Sequence, residues 1–339
     1  MAAVFPIHYP RALLRAHNIL PVEVWGPPHV DPAKGDAHLQ SYTCSIVRHG
    51  LSFAMGKDIN EVDLVLVPHC CDTLQGLGSI LLDFLPPGKP VLPIYVPREQ
   101  RPIDISFFAD EIRALSAALE RISGTVASPS ALDAALSNED NATSVTKDLY
   151  NNRRKLSLSD KEFYSLLRSR EYTPAEQYIT YVRNTLTSSG GKEQTGIPIF
   201  FSGVVPEPVE LFDSLNNFGG FVVGDDFLSC GRRLYPGNAS PDPFERMAKS
   251  ILEGPPDSTR GSTFERRAEY FLDEIHRKQA KGVIFYHAKF CEPEQFYLPR
   301  LEQTLNERNI PFLSLEIDIG TPLSNQTITR MEAFMEMVA

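Results

Sequence analysis

The sequence is poor in cysteine, in tryptophan and in basic residues. Five cysteines, Cys44, Cys70, Cys71, Cys230 and Cys291, are scattered over 339 residues, an odd count with no CxxC pair. Such usage fits neither a disulfide framework nor a zinc ribbon or thioredoxin-type motif. Lysine and arginine number 33 against 43 acidic residues, a formal net charge of −10. Tracking a nucleic-acid backbone requires clustered cations, so no nucleic-acid partner is expected. No run approaches the roughly 18 apolar residues needed to span a bilayer. Pro6, His8, Pro10, Arg11 and Arg15 interrupt the apolar core that a signal peptide would place near the start. The chain therefore reads as cytoplasmic, with no membrane association. GxSxG and HExxH are missing. GLGSIL (76–81) lacks the third glycine of GxGxxG, and SSGGKE (188–193) lacks the spacing and hydroxyl of a P-loop. Nucleotide binding by either route is not expected.

What is present is alternation. With 42% hydrophobic residues the chain can bury an ordinary core. Short apolar runs of strand length alternate with longer amphipathic stretches, the signature of parallel sheets covered by helices. The spacing predicts strands at Leu20 to Trp25, Val62 to Val67 and Val91 to Tyr95, and a helix at Phe107 to Ile122 stopped by Gly124. From about Ser128 the composition turns polar, and four consecutive helical stretches follow without a strand. A boundary at 188–196 leads to strands at Ile197 to Ser202, Phe221 to Val223, Gly282 to Tyr286 and Phe312 to Glu316. A last helix follows at Thr327 to Val338. EGPPDSTRGS (253–262) reads as a surface loop. The fold class is α/β: two open parallel-sheet, Rossmann/flavodoxin-like domains at 1–127 and 196–339, joined by a helical connector at 128–195.

In open α/β sheets, ligands collect where the carboxyl ends of strands meet the next helix. The strand before VPHCCDTL (67–74) runs out into Cys70 and Cys71, where Asp72 looks like a helix cap with Gln75 as its partner. Gly282 to Tyr286 runs out into Cys291, after which Pro293 opens a helix. Cys44 also precedes an amphipathic stretch. A helix N-terminus lowers a thiol's pKa and stabilises thiolates, which suit soft metals and iron–sulfur clusters. A cysteine at a strand end is also commonly a buried structural thiol, and the residues alone leave both readings open. His69 and His287 read as polar neighbours rather than ligands.

The order of segments resembles the 2-hydroxyacyl-CoA dehydratase family, in particular its beta-type subunit, which shares a superfamily with benzoyl-CoA reductase subunits. The resemblance runs over nearly the whole chain. It is carried by YTCSIVRHGL (42–51), VPHCCDTLQ (67–75), DLYNNRRKL (148–156), GGFVVGDDFLSCGRRLY (219–235), the stretch from Lys281 to Gly320, and TRMEAFMEMV (329–338). The N-terminus looks somewhat short beside the family. The family pattern implies a 4Fe-4S cluster held by three cysteines, which by position are Cys44, Cys71 and Cys291, with the fourth iron open to water or substrate. Cys70 and Cys230 fall outside that set. Asp225 and Asp226 are read as holding a loop or helix end, and Arg48 as a charge behind the cluster.

The resemblance also implies a heterodimer with a homologous alpha-type subunit, a separate ATP-dependent iron–sulfur activator and an acyl-CoA substrate. The implied reaction is a radical elimination of water. One electron makes the thioester carbonyl a ketyl, the hydroxyl leaves, the β-proton becomes removable, and the electron is returned. Reductive dearomatisation of an aromatic acyl-CoA, as in benzoyl-CoA reductase, is the alternative within the superfamily. A non-catalytic electron-relay or partner subunit is the alternative outside enzymatic function.

Overall fold

The near-continuous apolar runs at the centre of each sheet, Leu64–His69 and Gly282–Ala288, fold as strands buried on both faces, as in all-parallel sheets. The computed structural model describes residues 1–26, 30–84, 88–188 and 193–339. The first part runs β1 (Ala2–Val4), α1 (Arg11–Ala16), β2 (Pro21–Glu23), α2 (Ala33–Asp36), α3 (Ser45–Ala54), β3 (Leu64–His69), α4 (Asp72–Ser79), β4 (Val91–Tyr95) and α5 (Pro102–Ser123). Three helices follow: α6 (Pro129–Asn151), α7 (Asp160–Ser169) and α8 (Ala175–Ser188). The last part runs β5 (Ile197–Gly203), α9 (Glu210–Asn217), β6 (Gly220–Phe227), α10 (Pro243–Leu252), α11 (Phe264–Lys278), β7 (Gly282–Ala288), α12 (Glu292–Glu307), β8 (Phe312–Ile317) and α13 (Asn325–Val338).

Both sheets are wholly parallel and share one strand order, β2-β1-β3-β4 and β6-β5-β7-β8. In each, the winding reverses beside the first strand, which opens a crevice outside the carboxyl ends. Two open Rossmann/flavodoxin-like sheets joined by helices are thus the observed architecture. The second-sheet strands β6 and β7 are buried along their whole length, including Asp225, Asp226 and His287 at their carboxyl ends. Among the described residues, no helix is long and apolar enough to cross a membrane.

Several expectations need correction. β1 escaped the sequence reading because three residues carry no periodicity, yet it is a central strand of its sheet. α5 begins at Pro102, five residues before the expected Phe107: Pro fits the first helical turn, and the Asp104 carboxylate accepts from the Arg101 amide (2.9 Å). The four expected connector helices are three, because Ser128 caps one continuous 23-residue helix, α6. Part of the boundary at 188–196 lies outside the described residues.

The largest correction concerns 253–262, which is not a surface loop. Asp257 and Arg260 are 0% and 1% exposed. A segment rich in Gly, Pro, Ser and Thr reads as solvated, but here its backbone is satisfied from within. The Arg260 guanidinium donates to the carbonyls of Leu252 (2.6 Å) and Pro255 (3.0 Å), and the Asp257 carboxylate accepts from the Thr259 amide (2.7 Å).

Candidate functional site

Cys44, Cys71 and Cys291 each occupy the N-cap position of a helix, those of α3, α4 and α12. The expected cap at Asp72 is corrected: Cys71 carries the extended backbone (φ −135°, ψ 162°) and Asp72 is the first helical residue. An acidic side chain in the first turn still favours the helix end through its charge. Cys71 follows β3 and Cys291 follows β7, equivalent places in the two sheets. The fold brings the three thiols into mutual electrostatic range, Cys44 with Cys71 and Cys291 with both.

The amides of Ile46 and Val47 face the Cys44 sulfur, those of Thr73 and Leu74 face Cys71, and that of Glu294 faces Cys291. None closes into a capping hydrogen bond. Three helix N-termini therefore point their partial positive charge at one region. Among the described residues, no three His, Cys, Asp or Glu side chains stand close enough to hold a single metal ion.

Burial pushes the Cys44 thiol up to about 12, with the neighbouring Cys71 adding to the rise. Cys291 is held well above the usual thiol range, first by burial and then by Cys44. Cys71 moves the other way, because a hydrogen bond from Cys70 favours its anion; Cys70 is raised in turn by that bond and by burial. Cys71 is the only partly exposed member of the three. A bound metal inverts this balance, since a coordinating thiol is deprotonated outright.

The remaining residues singled out from sequence stand outside the trio. Cys230 lines a cavity of ≈ 90 Å³ with Arg11, Glu139, Arg233 and Tyr235, and its charged neighbours are Asp225, Glu171 and Arg168. Asp225 accepts from the Tyr150 and Tyr164 hydroxyls (2.6 Å each) and from the amides of Phe227 (3.0 Å) and Gly231 (2.9 Å), so it holds the turn after β6. Asp226 pairs with Arg267 inside the fold. Arg48 pairs with Asp36 (2.5 Å) and Asp318 (3.6 Å), and its charge reaches Cys44. His69 packs edge-on against Tyr95, with ring centroids 4.7 Å apart.

Sequence reasoning missed a buried polar layer that joins the two halves. His8, just past β1, contacts Asp257 Oδ2 through Nε2 (3.0 Å) and the Tyr235 hydroxyl through Nδ1 (3.0 Å). A neutral ring that donates to Asp257 and accepts from Tyr235 satisfies both. Arg233 spans Glu23 with both amino groups (2.5 and 2.7 Å). The signal in the sequence was charge: Arg232 and Arg233 in GGFVVGDDFLSCGRRLY (219–235), and Asp257 and Arg260 in 253–262.

This layer sets an acid limit on stability. Burial holds His8 down at about 4, against 6.5 when free, despite the opposing pull of Asp257. Between those values the unfolded chain binds a proton that the native state refuses, so stability falls as pH drops through the window. The loss reaches about 3 kcal/mol near pH 4. Burial alone would raise Glu23, but Arg233 and Arg11 outweigh it and hold the carboxyl at about 2, against 4.5 when free, which adds a further loss as pH falls from about 4.5 to about 2. Urea midpoints measured from pH 7 to pH 4 should fall in this way, and His8→Gln should flatten the slope. An unchanged slope would rule out His8 as the origin.

The model of the 2-hydroxyglutaryl-CoA dehydratase, D-component family matches residues 6–338. One of the benzoyl-CoA reductase subunits of Thauera aromatica is 24% identical over 326 residues, 93% of this chain and 84% of the relative. The (R)-phenyllactyl-CoA dehydratase beta subunit of Clostridium sporogenes is 23% identical, covering 98% of this chain and 90% of the relative. Lactoyl-CoA dehydratase subunit beta of Anaerotignum propionicum is 21% identical, covering 99% and 91%. With its family pattern matched from end to end, the chain belongs to the 2-hydroxyglutaryl-CoA dehydratase, D-component family.

Proposed function

We propose that this chain is the beta-type, iron–sulfur subunit of a heterodimeric 2-hydroxyacyl-CoA dehydratase. Cys44, Cys71 and Cys291 would hold a 4Fe-4S cluster whose fourth iron is open to water or substrate. The observation that carries the reading is the convergence of three N-cap thiols, drawn from both sheets, outside the carboxyl ends of β3 and β7. The donor set suits the group. It is all sulfur, and an iron–sulfur cluster binds each thiolate through a different iron.

When bound, the cluster supplies a one-electron centre of low potential. The chain's own residues do the rest. Three helix ends and Arg48 offset the negative charge of the thiolates, and the burial of Cys44 and Cys291 excludes water. Cys71, the least buried, marks the side from which solvent or substrate reaches the site. Relatives named as beta subunits support an alpha-type partner. A separate ATP-dependent activator would deliver the electron, and the acyl-CoA would bind at this cluster or the partner's.

The Thauera relative supports a second reading, an aromatic acyl-CoA reductase subunit. Anaerobic co-purification with the alpha-type subunit and activator, followed by product analysis, separates the two. An enoyl-CoA from a 2-hydroxyacyl-CoA supports the dehydratase, and a cyclic diene from benzoyl-CoA supports the reductase. A chain that stays colourless after anaerobic iron and sulfide reconstitution would instead be a non-catalytic partner.

A further inference from the structure

Arg232 is wholly buried, and every direction of its guanidinium is used. It donates to the carbonyls of Gly203 and Asp226 (2.5 Å each), at the carboxyl ends of β5 and β6, and to both carboxylate oxygens of Glu294 (2.7 and 3.0 Å). Asp257 stands 3.5 Å from it and continues the contact to His8, past β1 in the other sheet. Glu294 lies in the first turn of α12, and its amide is the one that faces the Cys291 sulfur.

A glutamate at this position commonly turns back to the amide of the cap residue. Here Arg232 and Ser258 hold it instead. Buried ion pairs add little net stability over apolar packing, so the pair calls for another reason. We infer that Arg232, with Glu294, Asp257 and His8, is a positioning group. It fixes the α12 end bearing Cys291 against the half bearing Cys44 and Cys71, and it sets the reduction potential of the cluster held there. The inference rests on the cluster reading proposed above.

Glu294 lies close enough to Cys291 to act on it by charge, and neighbouring charge and hydrogen bonding set the potential of a cluster. Neutralising Glu294 while Arg232 stays charged stabilises the reduced, more negative state. Lysine at 232 keeps the charge, but one ammonium cannot reproduce the planar fork that reaches Gly203, Asp226 and Glu294 together. Cys291 is then held less firmly.

The test uses the full chain, reconstituted anaerobically, with Glu294→Gln, Arg232→Lys and Asp160→Asn. Asp160 pairs with Arg153 in an equally buried setting beside β6 and serves as the control for a lost ion pair. Midpoint potential is read by EPR-monitored titration and cluster retention by the rate of iron loss to a chelator. Glu294→Gln is expected to raise the reduced-to-oxidised ratio about tenfold at fixed potential, a positive shift of about 59 mV for one electron. Arg232→Lys is expected to lose iron several-fold faster, and Asp160→Asn to change neither. If Arg232→Lys is not recovered folded by circular dichroism, the potential of the near-isosteric Glu294→Gln decides alone. Parent-like potential and iron loss in Glu294→Gln and Arg232→Lys, or equal shifts in Asp160→Asn, overturn the inference. A parent chain that takes up no iron or sulfide overturns the cluster reading itself.

Discussion

Cys44→Ser, Cys71→Ser and Cys291→Ser are each expected to leave the chain with background iron after anaerobic reconstitution, while Cys70→Ser and Cys230→Ser keep the full complement. Serine retains the shape of the cap but replaces a soft, polarisable thiolate with a hard oxygen that iron–sulfur clusters hold poorly. Each of the three also sits at a helix N-cap, where serine is an accepted residue, so the fold is not the casualty. Cys70 touches the site only as a donor to the Cys71 sulfur, a role that a serine hydroxyl can repeat. Iron and sulfide counting with EPR reads the outcome. Cluster retention in all three variants of the first set would sink the assignment, and loss in Cys70→Ser would redraw it.

Asp225→Ala is expected to remove about 5 kcal/mol of stability, comparable to the whole margin of many domains. Its carboxylate gathers two tyrosine hydroxyls and two backbone amides in a site 4% exposed. Alanine strands these donors without water, and each orphaned group costs about 1–3 kcal/mol. Tyr164 also stacks on Phe212 with ring centroids 4.4 Å apart, so the loss spreads into aromatic packing. Asp225→Asn keeps acceptor capacity and should cost less. Denaturant unfolding of the cluster-free chain measures both, and a wild-type midpoint for Asp225→Ala would show that the turn is held by other means.

The alternation of apolar runs and amphipathic stretches determined the fold class, because strands buried on both faces and helices buried on one leave different periods in the sequence. β4 appears with the expected ends, and β7 and β8 lie within two residues of theirs. That Cys44, Cys71 and Cys291 stand before helix starts was legible for a similar local reason: for Cys71 and Cys291 a strand that ends and a helix that begins leave marks within a few residues of one another, although the cap itself was expected at Asp72 and is Cys71. β1 left none, having too few residues to show a period.

Tertiary structure alone decided what faces the thiols. Nothing local links Arg232 to Glu294, 62 residues on, or His8 to Asp257, 249 residues on. Nor does local composition separate a solvated Gly-Pro-Ser loop from one whose polar groups are satisfied internally, as at 253–262. Burial of charge becomes tolerable only when distant partners are brought into hydrogen-bonding range, and that depends on how the two halves meet. The sequence by itself determined two parallel sheets and three cysteines at helix starts; the docking of the two halves through the loops beyond their strands decided that those cysteines converge, and which buried charges stand behind them.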